Sequence, residues 1–199
     1  MQTHSLRDEN KSRTRRALRE AALNLFANKG YDETTTDEVA EKAGVSPRTF
    51  FRYFPNKESV LWLGERDWMK VVIENFLAQP GSLDDWDAIR LALTEAADSI
   101  SGGRAGLLLF QQASASSLTL RGRVQDHGER DTSDMAEAVA KRQRLEKPDE
   151  ACILLATVGL VVFRRSLDVW LSGPASGQLK DILDEEFHLF SQVFAIRPH

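Results

Sequence analysis

The chain has 199 residues, 42% of them hydrophobic, with 26 Lys and Arg against 30 Asp and Glu for a formal charge of −4. That balance fits one or two ordinary globular domains with a real core, and excludes collagen-like, low-complexity and disulfide-stapled classes, since Cys152 is the only cysteine. The continuously apolar run from Ala151 to Phe163 falls short of the roughly 20 apolar residues of a membrane span, and the polar opening MQTHSLRDEN has no apolar stretch of the kind a secretion signal needs. The expected location is therefore the reducing cytoplasm, with Cys152 an inert thiol in a buried helix.

In chain order, residues 1–11 lack apolar periodicity and are expected to form a mobile arm. Arg7, Lys11, Arg13, Arg15, Arg16 and Arg19 crowd the start of the first helix. From Arg13 to Asn28, Leu18, Ala22, Leu25 and Phe26 recur at i, i+4, i+7 and i+8, which predicts a helix with one buried stripe, ended by Gly30. Next comes YDETTTDEVAEKAGVSPRTFFRYFPNK, Tyr31 to Lys57. Thr35 with Glu38 has the form of a capping box, so a second helix begins near Thr36. Gly44 suits the left-handed position after a helix end, with Val45 folding back as its hydrophobic contact. Ser46 caps a third helix and Pro47 occupies its first position, where a missing N–H costs nothing. Two helices separated by so short a turn make a helix-turn-helix. Phe50 and Phe54, four apart, close a small core with Val39, Ala40, Ala43 and Val45. Arg48, Thr49, Phe51, Arg52 and Tyr53 are left on the outer arc, a set able to meet phosphates and base edges.

The run TTxxVAxxAGVSxxTFFRYFxNKE, carried by Thr35 through Glu58, resembles the TetR family of bacterial transcription regulators, the likeness covering roughly residues 12–60. The resemblance implies an all-α, homodimeric repressor whose N-terminal helices bind operator DNA and whose larger C-terminal helical domain binds a small effector. By position it places DNA contacts on Thr36, Pro47, Arg48, Thr49, Phe51, Tyr53 and Lys57, and Arg52 shares their arc. Pro47 stands where the family often has Lys, which leaves Arg48 to supply a phosphate contact. Charge is divided to match. Residues 1–57 hold eleven Lys and Arg and eight Asp and Glu, a net +3, and the remainder holds fifteen and twenty-two, a net −7. A cationic head on an acidic body turns the head toward phosphate. The basic arm either follows the DNA backbone into a groove or is a solvated tail, and both readings stay open.

The expected division is an N-terminal arm and helix-turn-helix domain over 1–57 and an effector-binding and dimerisation domain over 58–199, about nine helices in all. Asn56 is expected to open one long helix through Val60, Leu61, Leu63, Trp68, Val72, Phe76 and Leu77, closed by Pro80-Gly81. Trp86, Ile89, Leu93, Ala96 and Ala97 form the stripe of another helix, broken at Gly102-Gly103, and a short apolar piece runs from Leu107 to Phe110. Leu118 to Lys147 reads as one long surface helix or as two broken near Gly128. Pro148 is expected at the first position of a helix running to Leu171 and stopped by Gly173-Pro174. A last helix runs from about Gln178 to Phe194. The last two helices are apolar over more than one packing face can use, so they are either central in the monomer or paired with a second chain, and the resemblance implies the pairing.

Searches for catalytic or metal chemistry give little. Glu185-x-x-His188 occurs once where a di-iron bundle needs it twice, residues 102–106 are no dinucleotide loop, and His127 beside Asp126 and Glu129 lacks a nucleophile. No metal, cofactor or enzymatic activity is expected. The expected function is a ligand-responsive repressor of a palindromic operator, the alternative an effector-independent or architectural DNA-binding regulator. The effector is expected to be acyl-CoA-like or apolar, in a pocket drawing on Trp86, Leu107, Phe110, Leu118, Val124, Phe163 and Trp170. Arg121, Arg123, Arg164 or Arg165 would meet its phosphates, with ordinary salt bridges the competing use of Arg164 and Arg165.

Overall fold

Nine α-helices and one 3-10 turn make up the regular structure of the described residues, 6–62 and 65–195 of a computed structural model, and no strand occurs among them. The helices are α1 Leu6–Lys29, α2 Thr36–Lys42, α3 Pro47–Tyr53, α4 Glu65–Ala78, α5 Asp85–Ser101, α6 Arg104–Ser116, α7 Leu118–Arg142, α8 Glu150–Ser172 and α9 Leu179–Ala195, with the 3-10 turn at Glu58–Val60. The all-α class and the N-terminal helix-turn-helix are as read from the sequence.

The chain divides into two compact units, one of residues up to 65 with 105–124, the other of 66–104 with 125–199. In the first unit, Leu18, Ala22, Leu23 and Phe26 of α1 meet Val39 and Ala40 of α2, Phe50 of α3, then Phe54, Val60 and Leu61. Ala113 of α6 and Leu120 of α7 complete this core, both fully buried. In the second unit α9 packs on both α5 and α8. Gly159 of α8 lets that helix approach Ile89 of α5, for a Cβ there would lie 2.9 Å from Ile89 Cγ2. Trp68 of α4 stacks on Phe163 of α8 with ring centroids 4.7 Å apart, and its Nε1 donates to Ala96 O at 3.1 Å. Arg142, at the end of α7, donates to Asp85 Oδ1 and to the carbonyls of Gln79, Pro80 and Leu83 at 2.6–2.9 Å, pinning the link between α4 and α5.

Several boundaries differ from expectation, each for a local reason. Residues 6–11 are helical rather than a mobile arm; residues 1–5 lie outside the described part. Arg13 Nη2 donates to Asn10 Oδ1 at 2.8 Å, Thr14 Oγ1 to Asn10 O at 2.9 Å, and Asp8 and Glu9 suit the positive first turn, so this stretch forms helix without an apolar stripe. The single helix expected from Asn56 starts instead as the 3-10 turn. There Asn56 Oδ1 accepts from Ser59 N at 2.8 Å and Ser59 Oγ donates to Asn56 O at 2.6 Å, tightening the turn before α4 begins at Glu65. Leu63 lies outside the described residues. Pro148 does not enter α8, because Asp149 takes the cap, its Oδ1 accepting from Cys152 N at 2.9 Å. Cys152 itself is buried. Of the two alternatives open for the next segment, the single helix is the one formed: α7 runs unbroken through Gly128, where an added Cβ would fall 2.4 Å from Arg164 Nη1. Nor is α8 wholly buried: Cys152, Ala156, Leu160 and Phe163 face inward, while Ile153, Leu154 and Val161 are exposed.

Candidate nucleic-acid interface

The helix-turn-helix is built from short-range hydrogen bonds. Glu38 N donates to Thr35 Oγ1 at 3.2 Å and Thr35 N to Glu38 Oε2 at 2.9 Å, completing the capping box of α2. Lys29 Nζ donates to Glu38 Oε1 at 2.5 Å, and chiefly this bond, with those from Thr35, holds the Glu38 carboxyl down to about 2. At the other end of α2, Gly44 has φ +70°, Gly44 N donates to Glu41 O and Val45 N to Ala40 O, both at 2.9 Å. That pattern satisfies two orphan carbonyls and turns the chain sharply. Ser46 Oγ then accepts from Thr49 N at 3.2 Å, and Pro47 opens α3.

With Phe50 buried on the inner side of α3, the arc of Pro47, Arg48, Phe51 and Arg52 is exposed. Phe51 is 53% exposed, its ring held edge-on to Phe50 at 5.3 Å. Such an apolar group on a cationic face suits contact with a thymine methyl better than with phosphate. The Arg52 guanidinium lies 5.0 Å from the ring centre of Tyr53. Thr36, Thr49 and Tyr53 are half-buried, and the Thr49 hydroxyl is 3.0 Å from Ser46 Oγ. Lys57 is placed differently. Its Nζ donates to Tyr31 O at 2.7 Å, Thr34 O at 3.1 Å and Asp32 O at 3.2 Å, and lies 4.4 Å from the Tyr31 ring centre.

Sequence reasoning missed how much of α6 and α7 serves this unit. Ser117 Oγ donates to Asp32 Oδ2 at 2.8 Å while accepting from Leu120 N at 3.1 Å, so one buried serine caps α7 and holds the loop before α2. Arg123 Nε lies 3.4 Å from Glu58 Oε2. A serine directly before the helical run from Leu118 was a legible cap signal; its carboxylate partner, 85 residues away, was not.

The expected effector residues fall into both units. Leu107, Phe110, Leu118 and Val124 belong to the first. Phe110 lies edge-on to Trp62 at 5.7 Å, and Leu118 is 78% exposed. In the second unit, Trp86 lies against Phe187 and Phe190, Phe163 against Trp68, and Trp170 is buried with Nε1 donating to Gly177 O at 2.8 Å. Arg165 Nε donates to Glu186 Oε2 at 2.7 Å, the salt-bridge use of that residue.

The sequence family described as bacterial regulatory proteins, tetR family, matches residues 18–61, from the middle of α1 through the 3-10 turn. Residues 18–61 are therefore a TetR-type N-terminal domain. Among curated relatives, the HTH-type transcriptional regulator TcmR of Streptomyces glaucescens is 49% identical over 55 residues, 28% of this chain and 24% of that protein. MftR of Mycobacterium tuberculosis, named for regulation of mycofactocin biosynthesis, is 34% identical over 101 residues, 50% of this chain and 43% of that protein. The matched stretch thus spans between about a quarter and under half of those relatives. Across the whole fold, a TetR-family regulator from Syntrophomonas wolfei aligns with TM-score 0.66 at 18% identity, covering 96% of this chain and 98% of that one. The TetR-family repressor FadR of Thermus thermophilus, in complex with lauroyl-CoA, aligns with TM-score 0.54 at 20% identity, covering 93% and 97%. At such identities these two establish a shared TetR fold. The head accordingly carries the helix-turn-helix fold of that family's N-terminal domain.

Proposed function

We propose that this chain is a TetR-type transcription regulator, a homodimeric repressor that leaves a palindromic operator when a small acyl-CoA-like or apolar effector binds its C-terminal part. The observation that carries the dimer is the apolar surface of its last two helices. Ile153, Leu154, Val161 and Val169 of α8 and Leu189 and Val193 of α9 are all exposed, a set that a soluble monomer seldom leaves to water. Burying it against a second copy supplies the two-fold symmetry that a palindrome requires. The fold shared with a lauroyl-CoA-bound FadR supports an acyl-CoA as the first effector class to try. Operator binding is measured by gel shift on DNA recovered by in vitro selection, and effector binding by calorimetry with acyl-CoAs, free fatty acids and planar aromatics. Release of DNA by acyl-CoAs is the expected result. Silence across all three classes, with operator binding intact, would instead support a regulator that acts without an effector.

A further inference from the structure

The residues of the helix-turn-helix are bracketed by one side chain. Lys57 sits beyond the end of α3, yet its ammonium reaches back to the carbonyls of Tyr31, Asp32 and Thr34, which lie before the start of α2. The longest of these links joins residues 26 apart, so α2, the turn and α3 are closed into a ring by one cation. The Tyr31 ring lies beneath the ammonium, and its hydroxyl is pushed up chiefly by burial. An ammonium has three N–H donors, and here each has a carbonyl. The loop it holds runs straight into the Thr35 cap and Thr36, so the ring fixes where α2 begins relative to α3.

We propose that Lys57 is a positioning residue for operator recognition: it sets the geometry of α2 against α3 and spends no donor on a DNA phosphate. This rests on the reading of the chain as a sequence-specific operator binder, and reverses the phosphate role that the family resemblance implies for Lys57. A phosphate contact and an internal tie differ in three measurable ways. Removing a phosphate contact lowers the slope of log affinity against log salt by about 0.9 and weakens all DNA sequences alike. Removing an internal tie leaves the slope unchanged and weakens the specific complex more than the non-specific one. Replacement by arginine separates them further, because a guanidinium keeps its grip on phosphate, whereas no single one of its nitrogens carries the three N–H groups that the three carbonyls converging on one ammonium take up.

The experiment compares wild type, Lys57→Arg and Lys57→Met on the selected operator and on random duplex DNA, over a range of salt. Active protein is counted by stoichiometric titration, well below each variant's melting temperature, so that lost stability is not mistaken for lost affinity. Both variants should bind the operator roughly tenfold more weakly, the size of one lost base contact, with an unchanged salt slope and a reduced preference for operator over random DNA. Wild-type affinity in Lys57→Arg together with a slope lower by about 1.8 in Lys57→Met, about 0.9 for each of the dimer's two heads, would overturn the proposal, as would wild-type affinity in both. If wild type shows no sequence preference at all, the operator reading fails first, and that result is seen before any variant is made.

Discussion

At the scale of single residues, the outer arc of α3 predicts two kinds of loss. Arg48→Ala should weaken operator binding by on the order of 1–3 kcal/mol and relax specificity if the guanidinium forks onto a base, or flatten the salt slope with specificity intact if it meets phosphate. Gel shifts at several salt concentrations distinguish the two, and unchanged binding would remove Arg48 from the interface. Phe51→Ala should remove the preference for thymine over uracil at one operator position, worth about 0.8 kcal/mol per methyl and readable in duplexes carrying deoxyuridine. A different residue makes stability vary with pH just below neutrality. Asp131, largely out of water and next to Asp134, is pushed up from 3.8 to about 6, burial contributing most and Arg164 opposing. Its folded pKa lies above its unfolded one, so the folded protein binds this proton more tightly. The stability due to that proton is present below the ordinary carboxylate range and lost as pH rises through about 6. Asp131→Asn should therefore match wild type near pH ~4 and exceed it in urea stability above pH ~6. A difference that did not vary with pH would mean the environment of Asp131 has been misread.

At the scale of elements, two glycines inside long helices give opposite predictions. A Cβ on Gly159 would press on Ile89, a fully buried β-branched side chain with nowhere to move, so Gly159→Ala should cost on the order of 1 kcal/mol despite better helix propensity. A Cβ on Gly128 meets only the far end of the exposed Arg164, which can swing aside, so Gly128→Ala should gain roughly 0.5–1 kcal/mol. Thermal melts of the two variants should move in opposite directions. Thr35→Ala, which opens the capping box of α2, should cost about 1 kcal/mol. The elements legible in the sequence were those fixed by neighbours a few residues apart. Thr35 with Glu38, Gly44 with its left-handed φ, and Ser46-Pro47 each dictate their own hydrogen bonds, so α2 and α3 could be read directly. Where a contact depends on a partner far along the chain, the sequence carries no local sign of it: nothing near Lys57 announces the carbonyls of Tyr31 to Thr34, and nothing near Ser117 announces Asp32. The start of α1 was missed for another reason: polar residues sustain a helix there without the apolar period used to find one.

At the scale of the whole molecule, the exposed apolar residues of α8 and α9 predict the state of association. Leu154→Glu together with Val161→Glu places two charges on that surface, and sedimentation should then show a monomer for the variant and the proposed dimer for wild type. The double variant should keep its helical content and lose most of its operator affinity, because one half-site no longer recruits the other. Dimeric sedimentation by the variant would shift the interface elsewhere. The makeup of the first unit also bears on how such a protein can be taken apart and reused. Its core is not the product of one uninterrupted stretch: Leu120 and Ala113 belong to it as fully as Leu18 and Phe50. A chimera that transplants only the segment up to residue 62 onto a foreign sensor would arrive without those two side chains, and without Ser117 to hold Asp32. Specificity is therefore not portable as a cassette in this chain. An exchange of operator preference should succeed either by redrawing the outer face of α3 in place or by moving 105–124 along with the head.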